Sequence, residues 1–154
     1  MINNLTAEIL NEIEEMVGKY NKIEKMAFNF GGKDTLYPAE IHTIEMIGKN
    51  SNITITELCT EQGVTKGAVS QVIGKLHKKG YVEKNKSTNN GKEIPLALTA
   101  KGEKALQIHR LFHDKIDDDI NSCFDKYTDA QLNAFHDMLI EITNQLDKYM
   151  QMGK

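Results

Sequence analysis

Leu5, Ile9, Ile13, Met16, Val17, Tyr20 and Ile23 recur at helical spacing, with mostly polar residues filling the positions between them. This periodicity predicts a first helix from about Leu5 to about Phe30, broken by Gly31-Gly32-Lys33-Asp34. Pro38 suits the first position of a second helix, which ends near Gly48. Thr54 followed by Glu57 is a capping box, in which each side chain satisfies a free backbone N–H of the other residue. It opens a short helix through Gln62, which Gly63 stops by turning left-handed. Thr65 caps a further helix through Lys79, ended by Gly80. Tyr81–Lys84 and Ile94–Leu98 read as strands joined by a turn at Ser87–Gly91, and Pro95 restricts the second to an edge or a bulge. Thr99 caps a long helix to about Asn121, and the box Thr128/Gln131 opens a last one to about Met150.

The fold class that follows is mainly α with a small β-hairpin wing. Two short helices joined by a glycine-bearing turn form a helix-turn-helix, whose second helix is shaped for a DNA major groove. The last helix carries Leu132, Phe135, Met138, Leu139, Ile142, Leu146, Tyr149 and Met150 as an apolar stripe too large for the central motif to cover. A second copy of the chain is the economical cover, because most homo-oligomers are two-fold dimers. The expected organisation is a DNA-binding lobe over 36–100 and a helical dimerisation region over 1–35 and 101–154. Two recognition helices would then lie roughly 34 Å apart and read a pseudo-palindromic duplex.

Charge sharpens this picture. The 154 residues carry a formal net charge of −3. Residues 64–92 hold seven lysines (Lys66, Lys75, Lys78, Lys79, Lys84, Lys86, Lys92) against Glu83, so that segment is +6 and the remainder −9. Phosphate neutralisation dominates nucleic-acid affinity, so a local basic stripe outweighs the acidic total. No apolar run reaches the roughly 18 residues of a membrane span, and Met1-Ile2-Asn3-Asn4-Leu5 lacks the basic-then-apolar order of a signal peptide. A cytoplasmic protein is expected. Cys59 and Cys123 make no disulfide framework; the expectation is a buried small hydrophobe for Cys59 and a structural role for Cys123. Asp114, Asp117, Asp118 and Asp119 read as a solvated face.

Leu58, Gly63-Val64-Thr65, Ala68-Val69-Ser70, Ile73, Leu76, Gly80-Tyr81-Val82, Leu98-Thr99 and Gly102 together resemble the MarR family of winged-helix transcriptional regulators, over nearly the whole chain. The resemblance implies a triangular homodimer on operators near promoters, tuned by a small ligand or an oxidant. By this likeness Thr65, Lys66, Ser70, Gln71 and Lys75 are major-groove or phosphate contacts, with Gln71 suited to an adenine edge. Lys84, Lys86 and Lys92 add wing contacts through the basic stripe. Ala68, Val69, Ile73 and Leu76 read as core. The family's wing arginine is missing, because Asn89-Asn90-Gly91-Lys92 stands there, and lysine lacks arginine's fork of donors. His77 on the second helix of the motif is read as facing phosphate or solvent, and His136 has no assigned role.

His109 and His113, at i and i+4, project from one helix face and suit one metal ion. A narrower resemblance extends this pair. The zinc-responsive, AdcR-like regulators of zinc uptake use a glutamate on the first helix, a histidine on the second and a His-x-x-x-His after the wing. Glu24, His42, His109 and His113 match that set at closely similar spacings. Three nitrogens and one oxygen suit four-coordinate zinc. The second metal site of those proteins has no counterpart, since Phe30, Ile41 and Ile108 stand at its positions. The resemblance implies zinc as co-repressor, shifting the population toward the DNA-binding conformation by its differential affinity. The competing readings are a MarR-type regulator answering a small organic or aromatic ligand or an oxidant, a metal-dependent hydrolase, and a structural metal protein. A filled four-ligand site and the lack of an evident substrate-bearing loop argue against an enzyme.

Overall fold

The computed structural model describes residues 4–29, 34–50, 52–85 and 94–152. Six helices, α1 (Asn4–Glu24), α2 (Pro38–Lys49), α3 (Ile55–Gln62), α4 (Lys66–Lys78), α5 (Ala100–Asn121) and α6 (Asp129–Met152), combine with two small sheets. β1 (Phe28–Asn29) pairs antiparallel with β2 (Thr35–Leu36), and β3 (Val82–Lys84) pairs antiparallel with β4 (Leu96–Leu98). The chain divides into two compact units, Met1–Arg110 and Leu111–Lys154.

The core lies in the first unit. Ile41, Ile44 and Ile47 of α2, Leu58 of α3, Val69, Ile73 and Leu76 of α4, Val82 and Leu96 of the hairpin, and Ala105 and Leu106 of α5 are buried together. In α4 the buried positions follow the i, i+4, i+7 rule, so one stripe of the helix faces α2 and the rest is left outside. Ala68 departs from expectation: it is exposed, because one step of about 100° from Val69 carries it off the stripe.

Each expected cap is present. Thr54 Oγ1 accepts from the Glu57 N–H at 3.3 Å, and the Thr54 N–H donates to Glu57 Oε2 at 2.8 Å. That backbone bond holds the Glu57 carboxyl below its ordinary value. Gly63 closes α3 at φ 64°. Gly80, at φ 77°, donates its N–H to His77 O while Tyr81 donates to Leu76 O, which is the double bond of a Schellman ending. The hairpin is fixed at its base, where the Leu96 N–H reaches Ile53 O at 2.9 Å and the Thr99 N–H reaches Tyr81 O at 3.1 Å.

The first helix is shorter than the expected run to about Phe30. It ends at Glu24, where Lys25 and Met26 donate back to Lys22 O and Ile23 O. The apolar repeat also stops at Ile23, and Phe28 turns into β1 to pack its half-buried ring on the core. Gly31, Gly32 and Lys33 of the expected break, and the turn Ser87–Gly91, lie outside the described residues.

Cys59 is half-buried against the core, as a small hydrophobe. Cys123 is exposed in the second unit, so it fills no core position; its Sγ lies 3.4 Å from Asp119 O. Among the described residues no helix is long and apolar enough to cross a membrane.

Gly102 marks the tightest approach. A Cβ there would meet the Tyr81 carbonyl oxygen at 2.1 Å, which is backbone and cannot swing away. Gly102→Ala is expected to lower stability by about 2–3 kcal/mol, the upper range for overpacking a filled site. Urea unfolding followed by circular dichroism measures it.

Candidate nucleic-acid interface and metal-ligating residues

Burial of Val69, Ile73 and Leu76 leaves Gly67, Ser70, Gln71, Gly74, Lys75 and Lys78 exposed on the outer side of α4. No acidic residue occurs anywhere in this helix. Thr65 is committed to its start, its Oγ1 accepting from the Ala68 N–H at 3.4 Å. Lys66 at the first turn and Lys84 on β3 line one small cavity of about 140 Å³ with Thr54, Thr56, Ile94 and Leu96. Helix and hairpin therefore present cations to the same concavity, although 18 residues separate them in sequence. Lys86 and Lys92 lie outside the described residues.

Not every residue of the basic segment serves an outside partner. Lys79 turns inward and donates to Glu40 Oε1 and Oε2 at 2.7 and 2.8 Å, and to Thr35 O at 2.9 Å. Glu40 is only 3% exposed. It also accepts from the Tyr37 N–H at the start of α2, so one carboxylate ties the head of α2 to the tail of α4. Lys101 completes the tie. Its ammonium donates to Lys79 O at 2.7 Å, pairs with Asp34 and lies 4.2 Å from the Tyr81 ring centroid. Asp34 raises the Lys101 ammonium above its ordinary value. His77 is exposed on α4, as expected, and its Nδ1 lies 2.9 Å from Val82 O, so one side of the ring is also tied to the hairpin. Sequence alone hardly signals the ties made by Lys79 and Lys101, because they join residues 20 to 67 positions apart with no periodic pattern.

The four expected metal ligands are only partly brought together. Glu24 Oε2, at the end of α1, lies 3.6 Å from His42 Nε2 on α2. His109 is 2% exposed, its Nδ1 3.0 Å from Glu45 Oε1 and its ring edge-on to Phe28 at 4.7 Å. Glu45 was not singled out by sequence, since nothing local links it to a residue 64 positions away. His113 is one turn further along α5, in the second unit, where it stands edge-on to Phe112. Among the described residues no three His, Cys, Asp or Glu side chains converge on one point. The donor chemistry nevertheless fits zinc. Two ligands of a tetrahedral ion with bonds near 2.0–2.2 Å stand about 3.4 Å apart, close to the Glu24–His42 separation. A carboxylate on the other nitrogen of a ligating histidine is also the usual outer support, and Glu45 stands there for His109.

Residues 35–93, from β2 past β3, match the sequence model of the MarR family. Over that stretch, 59 of the 154 residues, the chain is similar to the family. MarR-type proteins are DNA-binding transcriptional regulators and not enzymes, and the matched relatives carry regulators' names. An uncharacterised HTH-type transcriptional regulator of Bacillus subtilis, YhjH, is 29% identical over 133 residues, 83% of this chain and 76% of its own. The structure of Streptococcus pneumoniae FabT in complex with DNA superposes with a TM-score of 0.68 at 25% identity, covering 92% of this chain and 97% of FabT. The zinc-dependent MarR family regulator AdcR in its Zn(II)-bound state has a TM-score of 0.73 at 16% identity, over 94% and 99% of the two chains. At that identity the likeness to AdcR is one of fold.

Glu40 is the buried carboxylate that ties the tail of α4 to the head of α2. Glu40→Ala leaves Lys79 without its buried partner and is expected to cost about 2–3 kcal/mol. Adding Lys79→Met should restore part of the loss, so a double-mutant cycle by urea unfolding should show positive coupling.

Proposed function

We propose that this chain is a homodimeric regulator, acting as a repressor, that seats α4 of each protomer in successive major grooves of a pseudo-palindromic operator. The observation that carries the reading is the two-sidedness of α4: an apolar stripe fixed to α2, and an outer face of Ser70, Gln71, Lys75 and Lys78 without a single acid. Lys66 and Lys84, sharing one concavity, grip a backbone phosphate. Lys75, with Lys86 and Lys92, extends the phosphate contacts. Gln71 reads an adenine edge, and Ser70 bonds a base or a phosphate. The lobe over 36–100 binds the duplex, and segments 1–35 and 101–154 form the dimer. Support for the dimer comes from α1 and α6, neither of which has a buried residue. Leu5 (60%), Tyr20 (56%), Leu146 (58%) and Tyr149 (71%) are exposed to a degree that a single chain in water would not favour.

Zinc is the proposed effector, held by Glu24, His42, His109 and His113, with Glu45 orienting His109. When bound, it supplies a cross-link among helices that favours the DNA-binding conformation. A second reading, an organic effector, has in its favour a cavity of about 430 Å³ bordered by His42, Met46, Gln62, Val64 and Val72.

Two measurements test this. In fluorescence anisotropy on duplex from its own promoter region, Lys66→Ala and Lys84→Ala should each reduce the slope of log K against log salt by roughly 2 per dimer, one phosphate per protomer. An unchanged slope in both removes them from the interface. Zinc should tighten the wild-type complex and a chelator should reverse it, while His42→Ala with His113→Ala abolishes the response and keeps metal-free binding. No zinc dependence, together with release by an aromatic acid, would decide for the organic effector.

A further inference from the structure

Two glycines in α4 have no explanation within the chain. Gly67 and Gly74 keep ordinary helical backbone, and a Cβ at either would meet nothing within 4 Å. Gly48 and Gly102 differ, since a Cβ on them would run into Leu106 or into the Tyr81 carbonyl. Glycine inside a helix is unfavourable because it gives up the most backbone freedom on folding. Gly74, nine residues into a thirteen-residue helix, carries that cost in full, whereas Gly67 is in the first turn.

Both lie on the exposed face, seven residues and therefore about 10 Å apart along the axis, roughly the rise of three base pairs. Gln71 stands between them, with Gly67 at i−4 and Gly74 at i+3, the positions whose side chains crowd a helical residue. Ser70 is the other small group beside it. We propose that Gly67 and Gly74 are specificity-determining positions: they bare the backbone on both flanks of Gln71, so that the helix sinks deeper into the major groove and Gln71 reaches a base edge unobstructed. The proposal rests on the DNA-binding reading above. A helix clothed on every side is about 10–12 Å across, close to the groove's width of about 12 Å, so one missing methyl changes how far it enters. The surrounding cations, Lys66, Lys75 and Lys78, on a helix without acids make a polyanion the partner rather than another protein face.

The test sets stability against binding. Wild-type protein first enriches a duplex from a random-sequence library, and that duplex is the probe. Gly74→Ala should raise Tm by about 2–4 °C, with a smaller rise for Gly67→Ala. Each should weaken probe binding at least about tenfold, since a methyl now stands against the groove wall. Gln71→Ala should relax the preference at one base pair in each half-site. Glycine variants that bind the probe as tightly as wild type overturn the inference alone, as does a fall in Tm for Gly74→Ala, which would place the glycine in the service of the fold. A wild-type protein that enriches no duplex overturns the DNA-binding reading and this inference with it.

Discussion

The seating of α4 on α2 is the contact from which the rest of the site takes its geometry. Val69, Ile73 and Leu76 bury one stripe, and once that stripe is fixed the helix has no freedom in which residues it shows outward. The ends of α4 are fixed by other means. Thr65 caps the first turn, and the tail is held by Glu40, Lys101 and the Schellman ending at Gly80. An apolar face sets rotation about the axis but little else, because dispersion and the hydrophobic effect are not directional. The charged tie at Lys79 supplies direction and fixes where the helix stops.

That arrangement divides the basic segment into two populations. Lys66, Lys75, Lys78 and Lys84 stand in solvent, free to trade counterions for phosphates. Lys79 is neutralised by a buried carboxylate and belongs to the fold. The formal +6 of residues 64–92 therefore overstates the charge the interface can use. The division also separates the glycines. Gly48 and Gly102 are small because the chain approaches them, while Gly67 and Gly74 face outward.

The second helix links the two halves of the proposed chemistry. Glu40 at its head holds α4, and His42 and Glu45, two and five residues further on, face Glu24 and His109. An effector that draws on these residues acts on the same rigid element that seats the recognition helix. Coupling between sites needs only that the two events bias one shared element, and α2 is short, capped and buried along Ile41, Ile44 and Ile47.

The helices, their caps, the hairpin and the outward-facing residues of α4 were legible in the sequence because their causes are local. A threonine three residues before a glutamate or glutamine, a glycine after the last apolar turn, and a 3.6-residue repeat each act within a few positions. The end of α1 was legible only in part: the apolar repeat stops at Ile23, but β1 exists only by pairing with Thr35–Leu36. Glu40 with Lys79, Glu45 with His109 and Lys101 with Asp34 were hidden for the same reason, lying 39, 64 and 67 residues apart. The exposed Ala68 shows the limit of pattern reading even on a well-marked helix, where one residue's rotation separates core from surface. Sequence by itself determined which segments fold and which chemistry they carry, because propensity and patterning are short-range. Only the tertiary structure decided which charges are spent on one another and which glycines face open space, because those depend on distances that the packed core alone sets.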